Sequence, residues 1–180
     1  METNNMIMDA SDIERTVRRI AHEILEVHRG SEGLALVGIH TRGVILAKRL
    51  QAYISDIEGI RIPTGAMDIT LYRDDWTRIG PHPIVHATDI PFSVDGRMLV
   101  LVDDVLFTGR TIRAAMDALM DFGRPDRVEL AVMVDRGHRE LPIQADYVGK
   151  AIETRRSETV NVMFVETDGK DGAALAKELP

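Results

Sequence analysis

The chain has 180 residues, with 22 Lys+Arg against 29 Asp+Glu (formal charge −7) and 44% hydrophobic residues, which suits one folded domain rather than a disordered chain. No cysteine is present, which excludes disulfides, thiolate nucleophiles and cysteine-ligated metal clusters. No apolar run approaches the ~20 residues of a membrane span, no signal-peptide pattern opens the chain, and the acidic balance argues mildly against nucleic acid, so a cytoplasmic domain is expected.

Ser11 can cap a helix in which Ile13, Val17, Ile20, Ile24 and Val27 recur at helical spacing until Gly30. Leu34–Ile39 is a short apolar run bounded by glycine, the pattern of a buried strand. A helix is expected from Gly43 to about Ile54, and a strand from Gly65 to Tyr72. Arg73 to Ser93, with Pro81, Pro83 and Pro91, has no sustained period and suggests a lid. Strands at Met98–Val102 and Val128–Val134 flank a helix from Thr111 to Phe122. Shorter strands are expected around Tyr147 and Val160–Val165, with residues 1–165 as one domain and 166–180 as a loosely ordered tail. This alternation implies an α/β fold with a mainly parallel sheet and helices on both faces. Ligands of such sheets bind beyond the C-terminal strand ends.

The strongest motif is Leu99-Val-Leu-Val-Asp-Asp-Val-Leu-Phe-Thr-Gly-Arg-Thr111. A buried strand delivers Asp103 and Asp104 to its end. The turn Thr108-Gly109-Arg110-Thr111 then opens a helix whose first N–H groups can converge on a phosphate. A ligand with both hydroxyls and a phosphate, such as ribose 5-phosphate, fits that combination; a capped strand–helix turn is the competing reading. His40-Thr41-Arg42-Gly43 ends the first apolar strand, and Arg42 can grip a diphosphate through two parallel hydrogen bonds. Gly38 and Gly43 have the spacing of P-loop glycines, but Val44 and Ile45 replace the required Lys and Ser/Thr. Arg73 can reach a phosphate, and Asp74 and Asp75 can help organise Mg²⁺ or simply be solvated. Trp76 can cover the site or merely pack. His82 and His86 stand four apart, but Pro81 and Pro83 prevent a helix there, which argues against a metal pair. Backbone near Gly137 or Val160–Val162 can read a nucleobase edge.

The Asp103–Thr111 segment resembles the ribose-phosphate signature of type I phosphoribosyltransferases. Arg19-Ile-Ala-His-Glu23, Leu36–Gly43, Asp68–Asp75, Leu99–Thr111 and Val134–Lys150 together resemble the PyrR family of bifunctional pyrimidine-operon regulators and uracil phosphoribosyltransferases. The resemblance implies the type I phosphoribosyltransferase fold with a small hood. It also implies Mg²⁺-dependent conversion of uracil and 5-phosphoribosyl 1-diphosphate (PRPP) to UMP and diphosphate. Carried over by position, Asp103 and Asp104 hold the ribose hydroxyls and a metal-linked water. Thr108, Gly109, Arg110 and Thr111 cradle the 5-phosphate, and Thr41 and Arg42 hold the diphosphate; Val105, Leu106 and Phe107 of the same loop, Arg73 and Val162 are further candidates for the substrate site. Phe107 cannot accept a proton, which disfavours a purine substrate.

The resemblance further implies a homodimer or higher homo-oligomer that binds pyrimidine-operon leader mRNA, strengthened by UMP or UTP. Arg15, Arg18, Arg19 and His22 line one face of the first helix, and Arg139, Arg136 and Lys150 can extend that patch. A solvated face paired with Asp12, Glu23 and Glu26 is the competing reading. Gln144 stands where RNA-binding relatives are expected to carry Arg, so a salvage enzyme without an RNA role is the alternative.

Overall fold

In the computed structural model, which describes residues 5–72 and 86–177, β2 (Leu34–Ile39), β3 (Thr64–Met67), β4 (Met98–Leu106), β5 (Arg127–Asp135) and β6 (Tyr147–Ala151) form one sheet. Their order is β3-β2-β4-β5-β6 and every pairing is parallel. Alternate residues therefore serve two cores. Leu34, Leu36, Val100 and Val102 face α1 (Ala10–His28) and α2 (Arg42–Glu58), whereas Ala35, Val37, Leu99 and Leu101 face α3 (Arg110–Met120). Burial on both faces explains why these strands read as unbroken apolar runs.

Local chemistry moved several expected boundaries. The cap of α1 is Asp9, not Ser11: the Asp9 carboxylate accepts from the Asp12 N–H at 2.8 Å, and the Asp12 carboxylate accepts from the Asp9 N–H at 3.1 Å. This reciprocal pair satisfies two donors at the helix start. Val27, expected in the apolar stripe, is exposed. The strand expected through Tyr72 stops at Met67 because Asp68 Oδ1 accepts from both the N–H and the hydroxyl of Thr70, turning the chain into a 3-10 turn over Thr70–Tyr72. Of the expected lid, Asp89 pairs with Ala66, while Arg73, Asp74, Asp75, Trp76, Pro81, His82 and Pro83 lie outside the described residues.

The expected loose tail instead contains a paired strand. Residues 172–177 form β8 (Gly172–Lys177), the middle strand of a separate antiparallel sheet ordered β1-β8-β7, between β1 (Asn5–Met8) and β7 (Glu158–Met163). Ala173 and Ala174 are buried. A short helix, α4 (Val165–Asp168), links β7 to β8. This three-stranded unit is the hood, and Phe164 anchors it as a fully buried side chain.

Candidate phosphoribosyl site

The loops after β2, β3 and β4 meet above the C-terminal sheet edge around a cavity of about 360 Å³. Ile39, His40, Thr41, Asp68, Ile69, Thr70, His86, Asp103, Asp104, Val105 and Thr111 line it. Thr41, Asp103, Asp104, Val105 and Thr111 are thus brought together as expected, from segments more than sixty residues apart.

Two glycines make that approach possible. A Cβ at Gly43 would lie 2.4 Å from the Val102 carbonyl oxygen, so the loop after β2 rests directly on β4 just before the acid pair. A Cβ at Gly38 would lie 2.5 Å from the Gly43 carbonyl oxygen. Only residues without a side chain fit at both points. The His40–Thr41 peptide is cis, and the His40 N–H donates to the Met67 carbonyl at 2.9 Å, joining this loop to β3.

Asp103 and Asp104 are chemically unequal because successive strand residues point to opposite faces. Asp103 is 7% exposed, and burial, reinforced by the Asp104 charge, pushes its carboxyl well above the usual range. Its Oδ1 accepts from the Asp104 N–H at 2.9 Å, and Asp104 Oδ1 accepts from the Val105 N–H at 3.0 Å. The backbone therefore orients both carboxylates.

Gly109 carries φ +91° at the cap of α3, and the Arg110 N–H donates to Thr108 Oγ1 at 3.3 Å. The N–H groups of a first helical turn lack intrahelical partners and favour an anion. The other residues of this loop play supporting parts. Leu106 is buried in the core. Phe107 lies under the Arg136 guanidinium, 3.9 Å from its carbon to the ring centre. The Arg110 side chain is engaged by Glu140, with Nε donating to Oε2 at 2.7 Å. Arg42 begins α2 beside the cavity, within the field of Asp104, and is paired with Asp168. Val162 does not enter the cavity: its side chain is buried in β7. β7 is an outer strand of its sheet, so one backbone edge is not covered by a neighbouring strand of that sheet.

Three features had no local signature. His40 and His86 stack with ring centres 4.7 Å apart, and burial followed by the His86 charge lowers the His40 pKa. Burial pushes the Asp68 carboxyl up, but hydrogen bonds from Thr70 and from the His86 N–H outweigh it and hold the group below the usual range. Arg136, suggested by sequence as part of an RNA patch, is only 5% exposed and supports Phe107.

The α1 cations form a separate surface, where Arg15, Arg18, Arg19 and His22 are exposed. Arg15 pairs with Asp12, Arg18 with Glu14 and Arg19 with Glu23. Arg19 also donates to the Gly149 carbonyl of β6 at 2.6 Å, and Lys150 of β6 donates to the Ile7 carbonyl of β1 at 2.7 Å. Arg139 departs from the expected patch. Its guanidinium donates to the Ile143 and Phe107 carbonyls, both at 2.8 Å, and to Asp135, so it braces the ligand loop.

Among the described residues no group of three or more His, Asp or Glu side chains is arranged to hold a metal, and no helix is long and apolar enough to cross a membrane. The model of the phosphoribosyl transferase domain matches residues 3–166. The chain is 59% identical over 169 residues to the bifunctional protein PyrR of Thermus thermophilus, covering 94% of this chain and 93% of that one. It is 60% identical to the bifunctional protein PyrR of Roseiflexus sp. (strain RS-1), covering 95% and 94%. A hypoxanthine phosphoribosyltransferase from Trypanosoma cruzi superposes with a TM-score of 0.75 at 18% identity, covering 98% of this chain and 96% of that one, a likeness of fold. The chain belongs to the phosphoribosyltransferase family and, within it, to the PyrR group.

Proposed function

We propose that the chain converts uracil and PRPP to UMP and diphosphate, and that in a uridine-nucleotide-dependent manner it binds pyrimidine-operon leader mRNA to regulate its expression. The convergence of Asp103, Asp104, Thr41 and the α3 start on one cavity carries the catalytic half. The α3 N-terminus takes the 5-phosphate of PRPP. Asp103 and Asp104 take the ribose hydroxyls, and Thr41 and Arg42 take the diphosphate. As the bond to diphosphate breaks, positive charge develops on the sugar, and the Asp104 carboxylate is placed to offset it. Arg42 offsets the charge growing on the departing diphosphate. Phe107, held by Arg136 and Arg139, gives the loop a face with no proton acceptor, which suits a pyrimidine better than a purine.

Mg²⁺ fits this donor set: two adjacent carboxylates supply hard oxygen, and the absence of a larger cage among the described residues suits an ion held through water and substrate phosphates. When bound, it supplies charge neutralisation at the diphosphate. Asp103 and Asp104 would hold it through water. The site of action is the cytoplasm, and the chain works as a homodimer or higher homo-oligomer.

For RNA, Arg18, Arg19, His22 and Lys150 on α1 and β6 offer a cationic strip, whereas Arg139 acts within the fold. Exposed ion pairs are weak, so phosphate can displace Glu14 and Glu23. The exposed Gln144 and the internal Arg139 are the observations behind the second reading, a salvage enzyme with no RNA role. UMP formation from uracil, PRPP and Mg²⁺ tests the catalytic half. Leader-RNA binding that tightens with UMP and weakens with salt tests the other. Catalysis without such binding leaves the salvage enzyme.

A further inference from the structure

The cation assigned to the diphosphate is already engaged by an anion of this chain. Arg42 presents a fork to Asp168: Nη2 donates to Oδ1 at 2.7 Å and Nε donates to Oδ2 at 3.3 Å. Asp168 Oδ2 also accepts from the Phe164 N–H at 2.9 Å, which closes the turn of α4. The Arg42 hydrogen bonds, with help from that N–H, hold the Asp168 carboxyl below its usual range. Two turns further along α2, Arg49 donates to both Glu166 and Asp171 and lies over the Phe164 ring, 4.8 Å from its centre. The segment from Phe164 to Asp171 is thus fastened to α2 at two points of unequal strength. Arg49 is 19% exposed and bound to two carboxylates, whereas Arg42 is 37% exposed, and one carboxylate bridges it to the hood.

We infer that Asp168 is a built-in stand-in for the diphosphate, occupying the Arg42 fork until ligand displaces it. The inference rests on the reading of Arg42 as a diphosphate ligand. A carboxylate and a phosphate offer the same paired oxygens to a guanidinium, so the two anions compete for one geometry. A partly exposed pair is weak enough to exchange, and a diphosphate carries more charge than the carboxylate it replaces. The exchange leaves Asp168 facing an anion, which drives the end of α4 away from α2 while the Arg49 clasp keeps the hood attached. Asp168 therefore sets diphosphate affinity without belonging to the catalytic pair.

Calorimetric titration of the full chain with inorganic diphosphate and Mg²⁺ tests this. Asp168→Asn keeps an oxygen for the Phe164 N–H but removes the competing charge. It should tighten diphosphate roughly three- to tenfold, the scale of a partly exposed ion pair, and lower the KM for PRPP in parallel. Glu166→Gln removes a charge from the same segment without touching Arg42 and should leave both values unchanged. Arg42→Gln should weaken diphosphate, and adding Asp168→Asn to it should have no further effect. Asp168→Ser repeats the measurement if the Asn variant does not fold. Unchanged or weaker binding in the Asp168 variants, with Arg42→Gln still damaging, overturns the inference alone. Unchanged binding in Arg42→Gln overturns the reading of Arg42 and the inference with it.

Discussion

The cavity and the exposed face of α1 both gather charge, but they hold it differently. At the cavity, Asp103 is buried, its carboxylate is oriented by a backbone N–H, and a glycine with no room for a side chain packs beside it. On α1, Arg15, Arg18 and Arg19 lie in solvent, each paired with a carboxylate three or four residues away. The first arrangement fixes the acid pair in one geometry before ligand arrives, as chemistry on a reacting centre requires. The second leaves Arg15 and Arg18 free to exchange partners, with Arg19 tethered to β6 beside them, which suits a polyanion bound through many weak contacts. Substitutions should therefore act sharply at the cavity and gradually on the helix.

The largest effect is expected from Asp104→Asn, which keeps the shape but removes the charge beside the sugar. Its kcat should fall at least about 100-fold while urea unfolding changes little. Gly43→Ala comes next. Its methyl group would collide with the Val102 carbonyl, so we expect a stability loss of about 1–3 kcal/mol by urea denaturation, together with a raised KM for PRPP.

Asp103→Asn should separate stability from activity. The folded protein retains a proton on Asp103 at a pH where the unfolded chain has lost it. Its contribution to stability is complete in acid and is lost as pH rises from the ordinary aspartate range through the raised native value. At neutral pH the ligand-free Asn variant should melt higher, by about 2–4 °C for each kcal/mol recovered, while losing activity. A melting temperature lowered at neutral pH and unchanged in acid would contradict this account of the buried carboxyl.

Effects on α1 should be smaller. Arg19→Gln should weaken leader-RNA binding and reduce the salt slope by about one unit, leaving UMP formation unchanged. Glu14→Gln should do the reverse, strengthening RNA binding a few-fold by releasing Arg18 from its partner. If neither variant alters RNA binding, the α1 face is only a solvated surface.

The same contrast explains what was legible in the sequence. Asp103, Asp104 and Gly109 form a contiguous strand–turn–helix, so one short motif carries their geometry. Gly38 and Gly43 were visible as a spacing, but Gly43 is needed for a contact with β4, sixty residues away, and Gly38 for the close approach of Gly43 and Val44. Asp168, Arg136 and His86 act only through tertiary neighbours and bear no local pattern. β8 was missed because Gly-Ala-Ala-Leu-Ala-Lys is rich in small residues with weak strand preference, and its position between β1 and β7 decides its conformation. Arg139 looked like a surface cation because sequence does not reveal that four oxygens of neighbouring loops and strands surround its guanidinium.

Whether the cavity is a fixed phosphoribosyl site for a pyrimidine is decided by following UMP and diphosphate production from uracil and PRPP with Mg²⁺, using the full chain and its Asp104→Asn variant. The native chain should turn over and the variant should lose nearly all activity. A native chain that turns over no pyrimidine, or a variant as active as the native chain, would contradict that assignment.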